Sequence, residues 1–263
     1  MKKIIKQISI TAKDFVSQIP EIGRTEHPIL RPLQKFLRVW PLGLLAFKTS
    51  VLIKSMSVSA KITKSQRAIE YPWVLEQLKT IEKGQLVLDV GCSESLLSHE
   101  LIARGYRVVE IDIREYPFQN KRMFFIKRSI LDTKLPNDMF DAILVVSTIE
   151  HIGLSTYDQL TLDDKGDVKA MKELYRILRP KGIMILTTPY IGSCSFRVSS
   201  FERNYNRQRL QKLLEGFRIL IEEYFYLKQV GKRFYWVKMS REEIDSKNFM
   251  YPGLCCLVLK KDV

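Results

Sequence analysis

The sequence predicts an α/β protein built on a doubly wound, mostly parallel sheet that finishes with an antiparallel C-terminal strand pair and follows a basic N-terminal extension. Three observations carry this. Short apolar runs alternate with helix-length amphipathic runs between residues 85 and 190. The first run ends in Asp89-Val90-Gly91, a strand-to-helix turn where glycine lets the main chain approach a ligand. Two later strand-like runs, 217–229 and 254–261, have no long helix between them, which suits an antiparallel finish.

Each element follows in order. Residues 65–84 (SQRAIEYPWVLEQLKTIEKG) set Ile69, Trp73, Leu75 and Leu78 roughly on one face and end at Gly84, predicting a helix. QLVLDV (85–90) is a short buried strand, and SLLSHELIARG (95–105) is a helix stopped by Gly105. YRVVEID (106–112), MFFIKR (123–128) and FDAILVVS (140–147) are the next three strands, rich in β-branched and aromatic residues. DVKAMKELYRILRPKG (167–182) aligns Met171, Leu174, Ile177 and Leu178 in one stripe until Pro180 and Gly182 stop it. GIMILTTP (182–189) is the fifth strand.

The chain has 263 residues, 46% hydrophobic and 27% charged, enough for one large domain (65–263) and an extension (1–64). Cys92, Cys194, Cys255 and Cys256 show neither C-x-x-C spacing nor histidine partners, so buried thiols in a reducing compartment are expected and no metal site. Residues 1–64 hold twelve Lys/Arg against three Asp/Glu, which places nine of the fourteen net positive charges in the first quarter. Such an arm suits docking on nucleic acid or an anionic membrane, or a plain solvated face. Val39–Ile53 is shorter than the roughly 20 residues of a bilayer span and contains Lys48; it is expected to pack on the domain or to lie in the plane of a membrane. MKKIIKQISI is followed by no unbroken apolar core or cleavage site, so no signal peptide is expected. The expected location is cytoplasmic, with a peripheral membrane contact left open.

In an open parallel sheet the ligand sits beyond the carboxyl ends of the strands. Asp112 ends the second strand, 23 residues after Asp89, a separation at which a carboxylate accepts hydrogen bonds from ribose hydroxyls. Glu94 in the first turn opposes a pyrophosphate, and the third glycine of a dinucleotide loop is missing. An acidic loop suits a cofactor with a positive sulfonium better.

These residues carry a family resemblance. VLDVGCSES (87–95), VVEID (108–112), LPNDMFDAILVVSTIEHI (135–152) and LYRILRPKGIMILTTP (174–189) resemble, in order, core motifs of class I S-adenosylmethionine-dependent methyltransferases. The likeness spans about residues 66–190 and implies a Rossmann-like fold. EHIGLSTY with GDVKAMKE is similar to a bacterial and archaeal branch with some members tied to surface-glycan biosynthesis. The resemblance implies S-adenosylmethionine as cofactor and a small-molecule or glycan acceptor, methylated on a hydroxyl. RNA methylation through the basic arm stays open, although no N-P-P-Y or D-P-P-Y follows the fourth strand. So does a non-catalytic scaffold.

Carried over by motif, Asp89 and Gly91 would meet or position the methionine moiety, with Cys92 and Ser93 in the same loop. Asp112 would hold the ribose, Ile113 would pack on adenine, and Ile130 and Leu131 would wall it. Ser129 stands where relatives commonly have an aspartate on the adenine amino group. Ser147 would face the methionine end, and Glu70–Trp73 would close over the site. Ser93 and Ser95 replace loop glycines, at about 1 kcal/mol each if they adopt positive φ.

Of the three histidines, His27, His99 and His151, only His151 follows the fourth strand at the ligand end. It is the general-base candidate, with Glu150 beside it; the alternative is that the pair caps the next segment. Residues 152–167 and 191–210 are the expected acceptor walls. There Tyr157, Tyr190, Phe201, Arg203 and Tyr205 either grip the acceptor or pack the lid.

Overall fold

A computed structural model describes residues 65–117, 121–157, 162–192, 196–231, 233–246 and 252–262. The basic extension, including His27 and Val39–Ile53, lies outside the described residues, as does Cys194.

Helix α1 (Arg67–Gln77) leads into β1 (Leu86–Val90), α2 (Leu97–Ala103), β2 (Arg107–Asp112), β3 (Met123–Lys127) and β4 (Phe140–Val146). Then come α3 (Gly166–Ile177), β5 (Leu178–Tyr190), the two-residue strands β6 (Arg197–Val198) and β7 (Arg203–Asn204), and α4 (Arg207–Leu213). β8 (Phe217–Val230), β9 (Arg233–Met239), α5 (Arg241–Ser246) and β10 (Gly253–Lys261) complete the order. One eight-stranded sheet runs β3-β2-β1-β4-β5-β10-β8-β9, parallel from β3 to β5 and antiparallel thereafter. The chain reverses its direction of winding between β1 and β4, which sets a crevice at their carboxyl ends.

Strand alternation divides the core in two. Leu88 and Val90 of β1 face α3 and α4 with Met171, Leu174 and Leu210, whereas Val87 faces α1 and α2 with Val74, Leu97 and Leu101. Asp89 and Glu110 therefore point to the α1/α2 side.

Two elements depart from the sequence reading. β5 begins at Leu178, because Phe140 pairs with Leu178 and Ala142 already with Ile183, so residues 179–182 bulge out. Pro180 lacks an amide proton and Lys181 takes φ +66°, so this stretch can neither continue α3 nor pair regularly. The Lys261 ammonium closes the freed helix end, donating to the carbonyl oxygens of Tyr175 (2.9 Å) and Leu178 (2.8 Å). The second departure is β9: the antiparallel part has three strands rather than two. Among the described residues no helix links β2 to β3 or β3 to β4, and Phe124 on the edge strand is 66% exposed.

Candidate active site

The crevice is built on Gly91. Its φ of +77° is costly for any other residue, and a Cβ there would fall 2.4 Å from Thr148 Cγ2. Thr148 is held in turn, its hydroxyl shared between the carbonyl oxygens of Val90 and Val146 at 3.1 Å each. The ends of β1 and β4 are thus pinned together, with glycine main chain forming the floor.

Gly91, Asp112, Ile113, Ser129, Ile130 and Ser147 all line this one cleft, as the sequence places them. Asp112 is fixed by two main-chain amides: Ser93 N–H donates to Oδ2 at 3.0 Å and Arg114 N–H to Oδ1 at 2.9 Å. Ser129 Oγ accepts from the Leu131 amide at 3.2 Å, so it shapes the turn after β3. Ser147 takes φ +43°; its amide donates to Thr187 O and Oγ1, and its hydroxyl donates to Glu70.

Asp89, Cys92, Ser93 and Leu131 do not line the cleft but stand behind it. Asp89 is buried and accepts from Ser98 Oγ at 2.8 Å; burial pushes its carboxyl up to about 6, against the pull of Ser98 and Arg67. Burial also pushes the Cys92 thiol up, out of the reactive range. Cys255 and Cys256 are likewise buried free thiols. Ser93 and Ser95 avoid the strain expected of them, for neither has positive φ. Ser95 Oγ instead accepts from the Leu97 amide (3.0 Å) and from Tyr71 OH (2.9 Å), capping the start of α2.

His151 also lines the cleft. Its Nδ1 lies 2.6 Å from the carbonyl oxygen of Phe201, and its ring meets Tyr157 and Phe201 edge-on at 5.1 and 4.8 Å. Glu150 sits behind it, 1% exposed, with Oε1 3.9 Å from His151 Nε2 and Oε2 3.4 Å from Thr188 Oγ1. Burial pushes the Glu150 carboxyl up to about 8. Glu70, from the segment thought to close the site, is fully buried and accepts from Arg67 and Thr187.

The acceptor-side residues divide. Tyr157 faces the cleft under the Arg114 guanidinium at 4.3 Å, and Phe201 is half exposed. Arg203, Tyr190 and Tyr205 are internal. Arg203 donates to the carbonyl oxygens of Ile152 (2.6 Å) and Asp163 (3.2 Å) and pairs with buried Asp167, which also accepts from Tyr205 and Arg209. The Arg203 guanidinium is taken up by these internal acceptors and is 1% exposed. His99 sits on α2 beside Tyr116, away from the cleft.

Arg67, Arg114, Arg128 and Thr148 line the cleft without having been singled out from the sequence. Thr148 had a signal, being the residue after Ser147 in the motif, but its pairing with Gly91 is visible only in space. Arg67 donates to Val146 O at 3.0 Å across 79 residues, which no local pattern announces.

A family model described as a methyltransferase domain matches residues 88–186, the span from β1 through most of β5. Residues 88–186 thus carry a methyltransferase domain, and the fold is that of the class I S-adenosylmethionine-dependent methyltransferases. The chain is 25% identical over 203 residues to a ubiquinone biosynthesis O-methyltransferase of Rickettsia bellii, covering 67% of this chain and 75% of that one. A similarly named protein of Pseudomonas paraeruginosa is 25% identical over 148 residues, 52% of this chain and 59% of its own. A methyltransferase structure from Archaeoglobus fulgidus superposes with a TM-score of 0.55 at 16% identity, over 78% of this chain and 99% of that one. The 1,6-didemethyltoxoflavin-N1-methyltransferase of Burkholderia thailandensis, with S-adenosylhomocysteine bound, gives 0.53 at 15% identity over 83% and 90%.

The methyltransferase is therefore an enzyme and S-adenosylmethionine its cofactor, as the sequence implied. The cleft fits that cofactor. A side-chain-free floor at Gly91 admits close main-chain approach, and Asp112 is pre-oriented at the strand end with further lone pairs available. The scaffold alternative finds no support. Among the described residues no group of three His, Cys, Asp or Glu side chains is placed to hold a metal ion, and no helix is long and apolar enough to cross a membrane.

Proposed function

We propose that the methyltransferase moves the methyl group to a hydroxyl of a small-molecule acceptor, with His151 as general base. The observation that carries this is the His151–Phe201 contact. A carbonyl oxygen only accepts, so Nδ1 bears a proton, and in the neutral imidazole Nε2 is the nitrogen left with the lone pair. A hydroxyl needs such a base when it attacks; a neutral amine does not. The curated relatives, named as O-methyltransferases, support oxygen as the acceptor atom.

Bound S-adenosylmethionine supplies an electrophilic methyl on a good leaving group. The chain's own part is alignment and exclusion of water. Asp112 would accept from the ribose hydroxyls, Ile113 and Ile130 would sandwich the adenine, and Ser129 would border its edge. Gly91 and Ser147 would flank the methionine moiety, and Arg67, reaching in from α1, would meet its carboxylate. Asp89, Cys92, Ser93 and Leu131 would support these groups from behind. Tyr157 and Phe201 would hold a flat acceptor against His151, and buried Glu150, neutral near pH 7, would keep the ring from turning.

The test is transfer of labelled methyl from S-adenosylmethionine to panels of phenols, sugars and amines, with wild type and His151→Asn. Label in hydroxyl acceptors, lost in the variant while cofactor still binds, supports the reading. Label in amines alone rejects it.

A further inference from the structure

Behind the cleft, on the α1/α2 side of the sheet, two carboxyls stand on neighbouring strands. Asp89 and Glu110 are register partners in the parallel β1–β2 pair, so both side chains leave the same face. They are 2% and 0% exposed. Neither oxygen of Glu110 has a hydrogen-bond partner among the described residues. The Ser98 and Tyr116 hydroxyls lie beside it and draw its carboxyl down, yet their protons are directed to Asp89 at 2.8 Å and to Ser95 O at 2.9 Å. From β3 its register partner is apolar Phe125. A buried carboxylate without donors is costly, whereas a protonated carboxyl can itself donate to the Ser98 or Tyr116 oxygen. Two neighbouring buried carboxyls also resist ionising together.

We propose that Asp89 and Glu110 hold one proton between them beside Ser98, and that this pair selects the charged methyl donor over its uncharged product. It rests on the cleft being the cofactor site. S-adenosylmethionine carries a net charge of +1, and S-adenosylhomocysteine is a neutral zwitterion. Asp89 lies two residues before Gly91 and Glu110 two before Asp112, so the pair backs the cleft wall. When the cation binds, Glu110 releases its proton to solvent and the charge behind the wall goes from −1 to −2. The neutral product gives no such return and leaves more readily.

The other groups facing the pair are the Cys92 thiol after β1, Asp112 at the end of β2, His99 of α2 through Tyr116, and Arg67 and Tyr71 of α1. Desolvation raises Asp89 to about 6 and Glu110 to about 7; the Asp89 charge raises Glu110 further, Asp112 raises Asp89, and all three carboxyls raise the Cys92 thiol.

The experiment is calorimetric titration of the full chain with S-adenosylmethionine and S-adenosylhomocysteine from pH 5.5 to 8.5, in buffers of low and high ionisation enthalpy. Wild type and Glu110→Gln are compared, so that the ligands' own titration cancels. Donor binding is expected to release part of a proton near pH 7 in wild type and less in Glu110→Gln. The donor-to-product affinity ratio should rise about tenfold across the range in wild type, the equivalent of one pKa unit, and stay flatter in the variant. Equal proton release or equal pH dependence in the two proteins overturns the proposal and leaves the cofactor site standing. If neither ligand binds folded wild type, the cofactor site falls and the proposal with it. Should Glu110→Gln not fold, infrared spectra of wild type decide: a protonated-carboxyl band that fades with the donor and persists with the product is expected, and one unmoved by either overturns the idea.

Discussion

Nδ1 of His151 lies 2.6 Å from the carbonyl oxygen of Phe201, fifty residues further along the chain. The ring that closes the end of β4 is therefore oriented by the main chain of the opposite wall. In the proposed mechanism this contact would hold the base in register with the acceptor wall. For His151→Asn we expect kcat to fall about 10²–10³-fold with donor affinity within about twofold of wild type, the signature of a lost general base. Single-turnover kinetics beside calorimetry checks this, and a matching loss of donor affinity counts against the role.

Gly91→Ala should abolish cofactor binding and lower stability by about 2–4 kcal/mol, since it combines a positive φ with a Cβ driven into Thr148. Thr148→Gly in the same chain should recover the steric part and leave about 1 kcal/mol of backbone cost. Urea unfolding of the four members of this cycle gives the coupling directly.

Glu150 has a folded pKa raised to about 8, above the ordinary carboxylate value of 4.5, so the folded chain holds its proton more tightly than the unfolded chain does. That contribution to stability is complete below about 4.5 and is lost as pH rises through 8. Wild type should thus lose on the order of 1 kcal/mol or more between pH 6 and pH 9, and Glu150→Gln distinctly less. Denaturant midpoints at the two pH values are the measurement.

Arg203→Ala should cost about 2–3 kcal/mol, because it leaves the carbonyl oxygens of Ile152 and Asp163 without their guanidinium donor, while Asp167 keeps Arg209 and Tyr205. Arg203→Lys should restore only part, having one ammonium where four separate acceptors are spread, the carbonyl oxygens of Glu150, Ile152 and Asp163 and the Asp167 carboxylate. Thermal melts of both variants test this. Any effect on acceptor affinity should be the same for neutral and anionic acceptors.

The parallel half of the sheet was legible because each of its strands is a short β-branched run ending beside a turn residue. β9 was missed. RFYWVKM holds an aromatic and β-branched run that suits a strand, but it stands outside the two C-terminal runs read as strands; it pairs with residues 224–230 of β8, most of which extend past β10. The start of β5 was misplaced because Pro180 and Gly182 read as a helix stop, whereas α3 ends at Ile177 and the same residues form the bulge. For the cleft, residues at strand ends could be named from the motifs, since a strand end fixes its position in space. Arg67 and Arg114 could not, because their reach depends on how α1 and the loop after β2 fold back. Arg203 misled for the opposite reason: an arginine in a loop reads as free, and only tertiary packing shows its guanidinium enclosed by carbonyl oxygens.

Strand β10 lies between β5 and β8, yet it follows both in the chain. During synthesis the parallel half can pair as it emerges, while Leu186 and its neighbours keep an open row of amides and carbonyls until residues 253–261 arrive to fill the gap. A ribosome that stalls in that interval leaves a half-sheet with a sticky rim. The nascent chain is then most in need of a chaperone, and a cut before residue 253 would remove the sheet's keystone rather than trim its edge.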